Sequence, residues 1–413
     1  MIRLLIILAA VAIVVELNDA KPLDQAAIAL GVAACLAYLW SRLSVRKMTL
    51  VREPLVDHVA VGETFVEQLT LINGSMLPKP WLEVLDFSTL PGHAAGQVVR
   101  ARGKGAVRWM ARSVCKARGE FDLGPVRVRS GDPFGLFGRS VVAPETIRVL
   151  VWPVSVFLQH FQEPGGVFSG GPQRGWSPFT SPSISGIREY VPGDPFNRIA
   201  WGATARTNHL MVKEFEQDPI ADVWVMLDMH NAAHAGRIGG DATIIGNDSP
   251  IFESTEEYSV AIAASICRTY LERGRSVGLI VTTTHPVVLS PERGEAHISR
   301  IMDVLAVTHP DGIQPIAEAI RAHDSRFSRQ SSIVVVSPSV DESWAAELGR
   351  LRGLGVASQA VLVQPESFGA PLASLPFIGS LIAAGVPVAT VARGDRLEAL
   401  TNMDTSGNLY AVS

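Results

Sequence analysis

Val223-Trp224-Val225-Met226-Leu227-Asp228-Met229-His230-Asn231-Ala232 is the run that decides how the second half of this 413-residue chain is read. It opens with five apolar residues in a row and no polar alternation, the pattern of a strand covered on both faces. An aspartate ends it. Downstream, Glu256 to Arg273 has helical periodicity, with Ile262, Ile266, Tyr270 and Leu271 spaced for one buried face. A second buried strand is expected at Val277 to Val281, helices at Ile298 to Val307 and Ile316 to Ala322, and a third strand at Ile333 to Val336. A helix at Glu342 to Leu354 and strands at Ala360 to Val363 and Val386 to Val391 complete the pattern. Strands alternating with helices predict a mostly parallel sheet over 223–413. Ligands of such sheets gather at the carboxyl ends of the strands, where Asp228 falls. Arg237 to Pro250, with Gly239-Gly240 and Gly246-Asn247-Asp248, reads as a flexible loop over that edge.

Upstream lies the segment densest in specific residues, SGIREYVPGDPFNRIAWGATARTNHLMVKEFEQ, Ser185 to Gln217. Pro192-Gly193 suits the centre of a type II turn. Asp194 before Pro195 reads as a helix N-cap followed by proline at the first helical position. The short helix would carry Ile199 and Trp201 and end near Ala205, with a strand from His209 to Phe215. Arg188, Arg198, Arg206 and Lys213 balance Glu189, Asp194, Glu214 and Glu216, a set suited to paired guanidinium–carboxylate contacts. Glu189 and Asp194 could also serve as a catalytic carboxylate pair. No Ser–His pair at motif spacing and no cysteine accompanies them, so the segment reads as structural or partner-binding.

Gly186, Arg188, Glu189, Tyr190, Pro192, Gly193, Asp194, Arg198, Ile199, Trp201, Ala205 and Arg206 together resemble the signature of the domain of unknown function 58 family. The resemblance implies a C-terminal Rossmann-like α/β domain of von Willebrand factor A type. It also implies a link to MoxR-type AAA+ ATPases of bacteria. Domains of that type often carry a divalent cation on a D-x-S-x-S loop. Here the loop reads Asp228-Met229-His230-Asn231-Ala232, so His230 and Ala232 replace both serines. Ser337 stands where a further aspartate is expected. A hard cation needs several oxygen ligands. The expectation is a degenerate site at Asp228 and His230, with no metal and no other cofactor.

The rest of the chain supplies context. A net charge of −4 gives no bulk affinity for nucleic acid. There is no GxxxxGK[ST] and no G-x-G-x-x-G between strand and helix, so the chain is not itself an ATPase. Cys35, Cys115 and Cys267 lie too far apart for a zinc pattern or a disulfide framework. His234, His285, His297, His309 and His323 are scattered and read as surface or polar-loop residues. Residues 44–150 read as short strands in a small antiparallel sandwich: one with Phe65, Leu69 and Leu71, one with Leu82, Val84 and Leu85, one with Val107, Trp109 and Met110, and one with Val126 and Val128 between Arg127 and Arg129. Asp132-Pro133 opens a turn whose flanking aromatics should staple it to the sheet. Residues 151–222 are read as a linker carrying the signature.

Apolar residues are 47% of the chain and charged residues 18%, and the excess is concentrated at the N-terminus. Ile2 to Asn18 and Leu23 to Leu43 each approach the length of a bilayer span, so residues 1–43 are expected to form two transmembrane helices. Tyr38 and Trp40 suit an interfacial aromatic belt. Arg3 precedes the first helix, and Arg42, Arg46, Lys47 and Arg52 follow the second. This placement predicts a multi-pass cell-membrane protein with both termini and the soluble domains in the cytoplasm. The functional expectation is a non-enzymatic adaptor or scaffold offering its α/β domain to a protein, with a MoxR-type AAA+ ATPase as the implied partner. An envelope-related hydrolase using Glu189 and Asp194, or a purely structural assembly factor in the membrane, are the alternatives.

Overall fold

The computed structural model describes residues 2–17, 21–56, 58–162, 164, 180–190, 199–207, 209–217, 222–236, 243–244, 250–251, 254–329 and 331–400. They fall into two compact units, Met1–Trp152 and Pro153–Ser413.

The first unit begins with helices α1 (Ile2–Leu17) and α2 (Lys21–Ser44). Over Asp24–Ser44, α2 has the length and composition of a membrane span. α1 has 16 residues, roughly 24 Å of helix. The two meet where Gly31 leaves room: a Cβ there would sit 3.5 Å from the Val11 side chain. Ten strands follow: β1 (Met48–Pro54), β2 (Val59–Ala60), β3 (Thr64–Asn73), β4 (Lys79–Asp86), β5 (Gln97–Ala101), β6 (Ala106–Val114), β7 (Gly119–Leu123), β8 (Val126–Gly131), β9 (Gly138–Ala143) and β10 (Ile147–Trp152). They form sheets in the orders β1-β3-β6, β5-β4-β8-β9 and β2-β10-β7. All pairings are antiparallel except β2 with β10. Leu50, Leu69, Leu71, Leu82, Val84, Val99, Val126 and Val128 make the core between them. The turn after β8 differs from expectation. Phe137 is buried, but it packs edge-to-face against Tyr38 of α2, with centroids 5.5 Å apart. Phe134 is 68% exposed and staples nothing.

In the second unit, residues 153–162 lie along a helix rather than hanging free. Ser265 Oγ accepts from Val156 N, Thr269 Oγ1 accepts from Leu158 N, and Arg273 donates to the carbonyls of Leu158 and Phe161. Strands β11 (Thr180–Glu189) and β12 (Met211–Gln217) form an antiparallel pair that brackets α3 (Trp201–Thr207). Next come β13 (Val223–Leu227), the two-residue strands β14 (Thr243–Ile244) and β15 (Pro250–Ile251), α4 (Thr255–Glu272), β16 (Val277–Val281), β17 (Val287–Glu292), α5 (Glu295–Ala306), α6 (Ile316–Ala322), β18 (Ser332–Ser337), α7 (Glu342–Gly353), β19 (Ala357–Val363), α8 (Ser374–Ala383) and β20 (Val388–Val391). Apart from β14 and β15, the connection 237–250 lies outside the described residues.

The main sheet runs β17-β16-β13-β18-β19-β20. Its neighbours are parallel except β17, which is antiparallel at the edge. Strand order therefore reverses between β13 and β18, beside Asp228. β13 is buried at all five positions, as its apolar run requires. Trp224 and Met226 pack with Ile320, Trp344, Leu348 and Phe377 from α6, α7 and α8, while α4 covers the opposite face. Wedged between sheet and solvent-side segments, α4 is buried nearly all round, from Thr255 to Leu271, rather than along one face. His297 is also inside, 1% exposed, with Nε2 donating to Val277 O at 2.6 Å. A backbone acceptor for one ring nitrogen, Nε2, thus accompanies the burial of a ring the sequence placed at the surface.

Candidate functional site

At the carboxyl edge of the main sheet, Asp228 leaves the end of β13 with its side chain fully buried. Oδ2 accepts from Ser337 Oγ at 2.6 Å, and Oδ1 accepts from His230 N at 2.9 Å. Thr282 stands 3.5 Å from Oδ1 and accepts from Met229 N at 2.9 Å. Ser337 Oγ in turn accepts from Ser339 N. The loop is locked from the other side, where Gly312 exchanges hydrogen bonds with Met229 and Asn231, each 2.9 Å. A Cβ at Gly312 would come within 2.1 Å of Thr282 O. Both oxygens of Asp228 are thus engaged by the protein's own donors. Beside this sealed carboxylate lies an open groove of about 330 Å³, lined by His230, Ala232, Ile316, Val340 and Leu372 among others. Leu372 is 47% exposed, and Ile313, next to Gly312, is 74% exposed.

The signature segment forms a separate feature of the same unit. Gly186, Arg188 and Glu189 lie on β11, with Arg188 paired to Val212 and Ile187 to Lys213 of β12. Tyr190 N continues the ladder to Leu210 O at 2.8 Å. Ile199 is buried and bridges to Val212 in extended backbone, so it precedes the helix it was expected to occupy. α3 then runs past Ala205 to Thr207, and Thr204 Oγ1 accepts from Met211 N at 3.0 Å. Trp201 is 66% exposed, and Arg206 is exposed. Glu189 ends β11 in solvent. Pro192, Gly193, Asp194 and Arg198 lie outside the described residues. The hairpin brings Glu189, Tyr190 and Ile199 close to β12 by backbone pairing, and that pairing needs no catalytic role.

A third constellation, in the first unit, escaped the sequence reading. Arg52 Nε lies 3.0 Å from Glu67 Oε2, and Arg52 Nη2 lies 2.8 Å from Asp86 Oδ1. His93 Nε2 lies 3.0 Å from Glu67 Oε1 and 3.1 Å from Asp86 Oδ2, while its Nδ1 meets Ser113 Oγ at 2.9 Å. The four side chains are at most 6% exposed. The contacts to Glu67 have ion-pair distances but lie off the donor N–H directions, so that carboxylate is held by charge more than by aligned hydrogen bonds. Burial alone would lower the His93 pKa, but hydrogen bonds and charge from Asp86 and Glu67 outweigh it and raise it to about 9. Burial opposes ionisation of Asp86 as well, yet His93, Ser88 and Arg52 bring its pKa down to about 2. At neutral pH the set therefore carries two positive and two negative charges. The donor atoms of Glu67, Asp86 and His93 lie within 4.8 Å of one another, close enough to share an ion. However, a divalent ion would require neutral His93 and would leave one excess positive charge beside Arg52, in a place where charge is costly. The proton on His93 balances the pocket better.

The sequence does hold a signal for this cluster. Glu67 shares the inward parity of Phe65, Leu69 and Leu71. Asp86 shares that of Leu82 and Val84, and Arg52 that of Leu50. One cation and two carboxylates at positions where a period of two demands apolar residues must pair with each other and with a further positive group, which the fold supplies as His93.

Comparison with known proteins agrees with the signature. The family described as Protein of unknown function DUF58 matches residues 186–367. The chain is 28% identical over 258 residues to Uncharacterized protein YeaD of Bacillus subtilis (strain 168), covering 58% of each chain. It is 26% identical over 156 residues to Uncharacterized protein Rv1480 of Mycobacterium tuberculosis (strain ATCC 25618 / H37Rv), covering 36% of this chain and 44% of the other. The match thus spans less than two thirds of the length of these relatives. Among solved structures, the CARDB domain of the PF1109 protein from Pyrococcus furiosus, crystallised with di-metal ions, aligns with 25% of this chain and 92% of its own at 14% identity, but with a TM-score of 0.20. A likeness that low carries no argument.

Proposed function

We propose that this chain is a membrane-anchored, non-enzymatic adaptor whose α/β unit, of von Willebrand factor A type, docks a protein at the carboxyl edge of its main sheet. The observation that carries the reading is the pairing of a sealed Asp228 with an open, largely apolar groove. A carboxylate whose two oxygens accept from Ser337 and His230 is poorly placed to act as a base or cation ligand. The exposed Leu372 and Ile313 beside it are the kind of apolar surface that marks protein contacts. The strand order and the degenerate Asp228 loop support the domain type, and the family resemblance supports a MoxR-type AAA+ ATPase as partner. The placement of Arg3, Arg42, Arg46 and Lys47 supports two spans, α1 and α2, with both soluble units in the cytoplasm. On this reading the protein needs no cofactor.

The test is crosslinked recovery of the full-length protein from its native membranes, in the original sequence and as Leu372→Asp, read by mass spectrometry. Leu372 is on the surface, so the variant should keep its melting temperature. Recovery of an AAA+ ATPase with the original chain and its loss with Leu372→Asp supports the reading. Equal recovery from both, or no ATPase from either, refutes it.

A further inference from the structure

The turn between β8 and β9 holds apolar side chains outward by construction. Asp132 Oδ2 accepts from Phe134 N at 2.9 Å, its Oδ1 accepts from Phe137 N at 2.5 Å, and Gly135 adopts φ +72°. That geometry buries Phe137 and leaves Phe134 68% and Leu136 40% exposed at the tip. A water-facing turn would place polar residues there.

Its location explains the choice. Phe137 stacks edge-on against Tyr38 of α2, and Arg3 of α1 donates to Leu136 O at 3.4 Å. α2 packs on β8 and β9, and Lys79 on β4 donates to Leu43 O at the end of the helix. The turn is therefore fastened to the helix pair six residues before α2 ends, at the level where Arg42 lies 5.5 Å over the Tyr38 ring. Helix length fixes that level relative to a bilayer. Leu23 to Trp40 spans roughly 27 Å at about 1.5 Å per residue, close to a hydrocarbon core of roughly 30 Å. Were the β-rich unit held clear of the membrane as far as Tyr38, only about 22 Å of apolar helix would remain. Tyr38 belongs at the interface, and so does the turn that touches it.

We propose that Phe134 and Leu136 insert into the headgroup–acyl boundary of the membrane that α2 crosses, so that the β-rich unit rests on the lipid surface instead of hanging from a free tether. Arg3, bonded to Leu136, and Arg42, over Tyr38, add cationic groups suited to lipid phosphates, and the exposed Arg139 follows Phe137 by two residues on β9. The inference rests on α2 being a membrane span, and the experiment separates the two claims.

Cys35 is exposed on α2, whereas Cys115 and Cys267 are buried. An environment-sensitive NBD fluorophore is placed either on Cys35 or on Phe134→Cys in a Cys35→Ala background. The full-length protein is reconstituted in phosphatidylcholine–phosphatidylglycerol liposomes with and without doxyl-labelled lipid. The expected result is a blue shift and loss of most emission to shallow doxyl groups at position 134, with quenching by deeper doxyl groups at Cys35. Quenching at Cys35 without quenching at position 134 overturns the insertion and leaves the span intact. No quenching at either position overturns the span and the insertion together.

Discussion

Removing the imidazole from the buried quartet should show how the first unit depends on pH. His93 has a folded pKa of about 9 against an ordinary 6.5. At about 1.36 kcal/mol per unit, that difference stores roughly 3 kcal/mol of stability. The sign is set by which state holds the proton more tightly. The folded state does, so the contribution is complete below pH 6.5 and disappears as pH rises through 9. Asp86, with its folded pKa near 2 against 3.8, behaves in the opposite sense, and its contribution is lost only as pH falls below about 4 toward 2. The groups facing His93 are Glu67, Asp86, Ser113 and, across the carboxylates, Arg52. The assay is chemical denaturation of the full-length protein in detergent, following the transition of the β-rich unit from pH 6 to 10, alongside His93→Gln. The original chain should lose roughly 3 kcal/mol over this range while His93→Gln, already weaker by a similar amount at pH 6, stays nearly flat. Equal slopes in the two proteins, or an NMR titration placing the His93 pKa near 6.5 in the folded chain, would refute the charge-balanced quartet.

Two further outcomes probe the second unit. Ser337→Ala should lower its stability by about 1–3 kcal/mol, measured by denaturant titration, because Asp228 Oδ2 loses its 2.6 Å donor while remaining buried; an unchanged midpoint would mean that water or another group already satisfies that oxygen. Gly278→Ala should cost about 1–3 kcal/mol in the same assay, since a Cβ there would sit 2.6 Å from the Trp224 indole in a packed core, and a variant as stable as the parent would show that Trp224 has room to move.

Elements were legible where one local pattern left one physical option. The unbroken run Val223–Leu227 could only be a two-face strand, and it is buried at every position. Ile316–Ala322 and Glu342–Gly353 appear as helices within a residue of the boundaries their periodicity sets. Two elements of the same sheet layer were not legible. β17 carries Pro291 and lies partly exposed on an edge, so it lacks the apolar run of its neighbours. α8 is short and contains Pro376 and Gly379, which argue against a helix until packing of Phe377 and Leu381 on the sheet outweighs them. The replacement of His230 and Ala232 for serines was visible in the sequence, but the sealing of Asp228 was not. Its hydroxyl partner comes from Ser337, 109 residues away.

Local periodicity and composition in the sequence by itself determined the apolar helix that can cross a membrane, the strand-rich middle and the α/β second half. These depend on which residues are apolar and at what spacing, and solvent reads that pattern locally. Only the tertiary structure decided that Arg52, Glu67, Asp86 and His93 neutralise one another, that Asp228 is closed off beside an open groove, and that the Phe134 turn lies against α2. Each of those joins groups far apart along the chain, and the energy of a charge or an apolar side chain depends on what surrounds it in space.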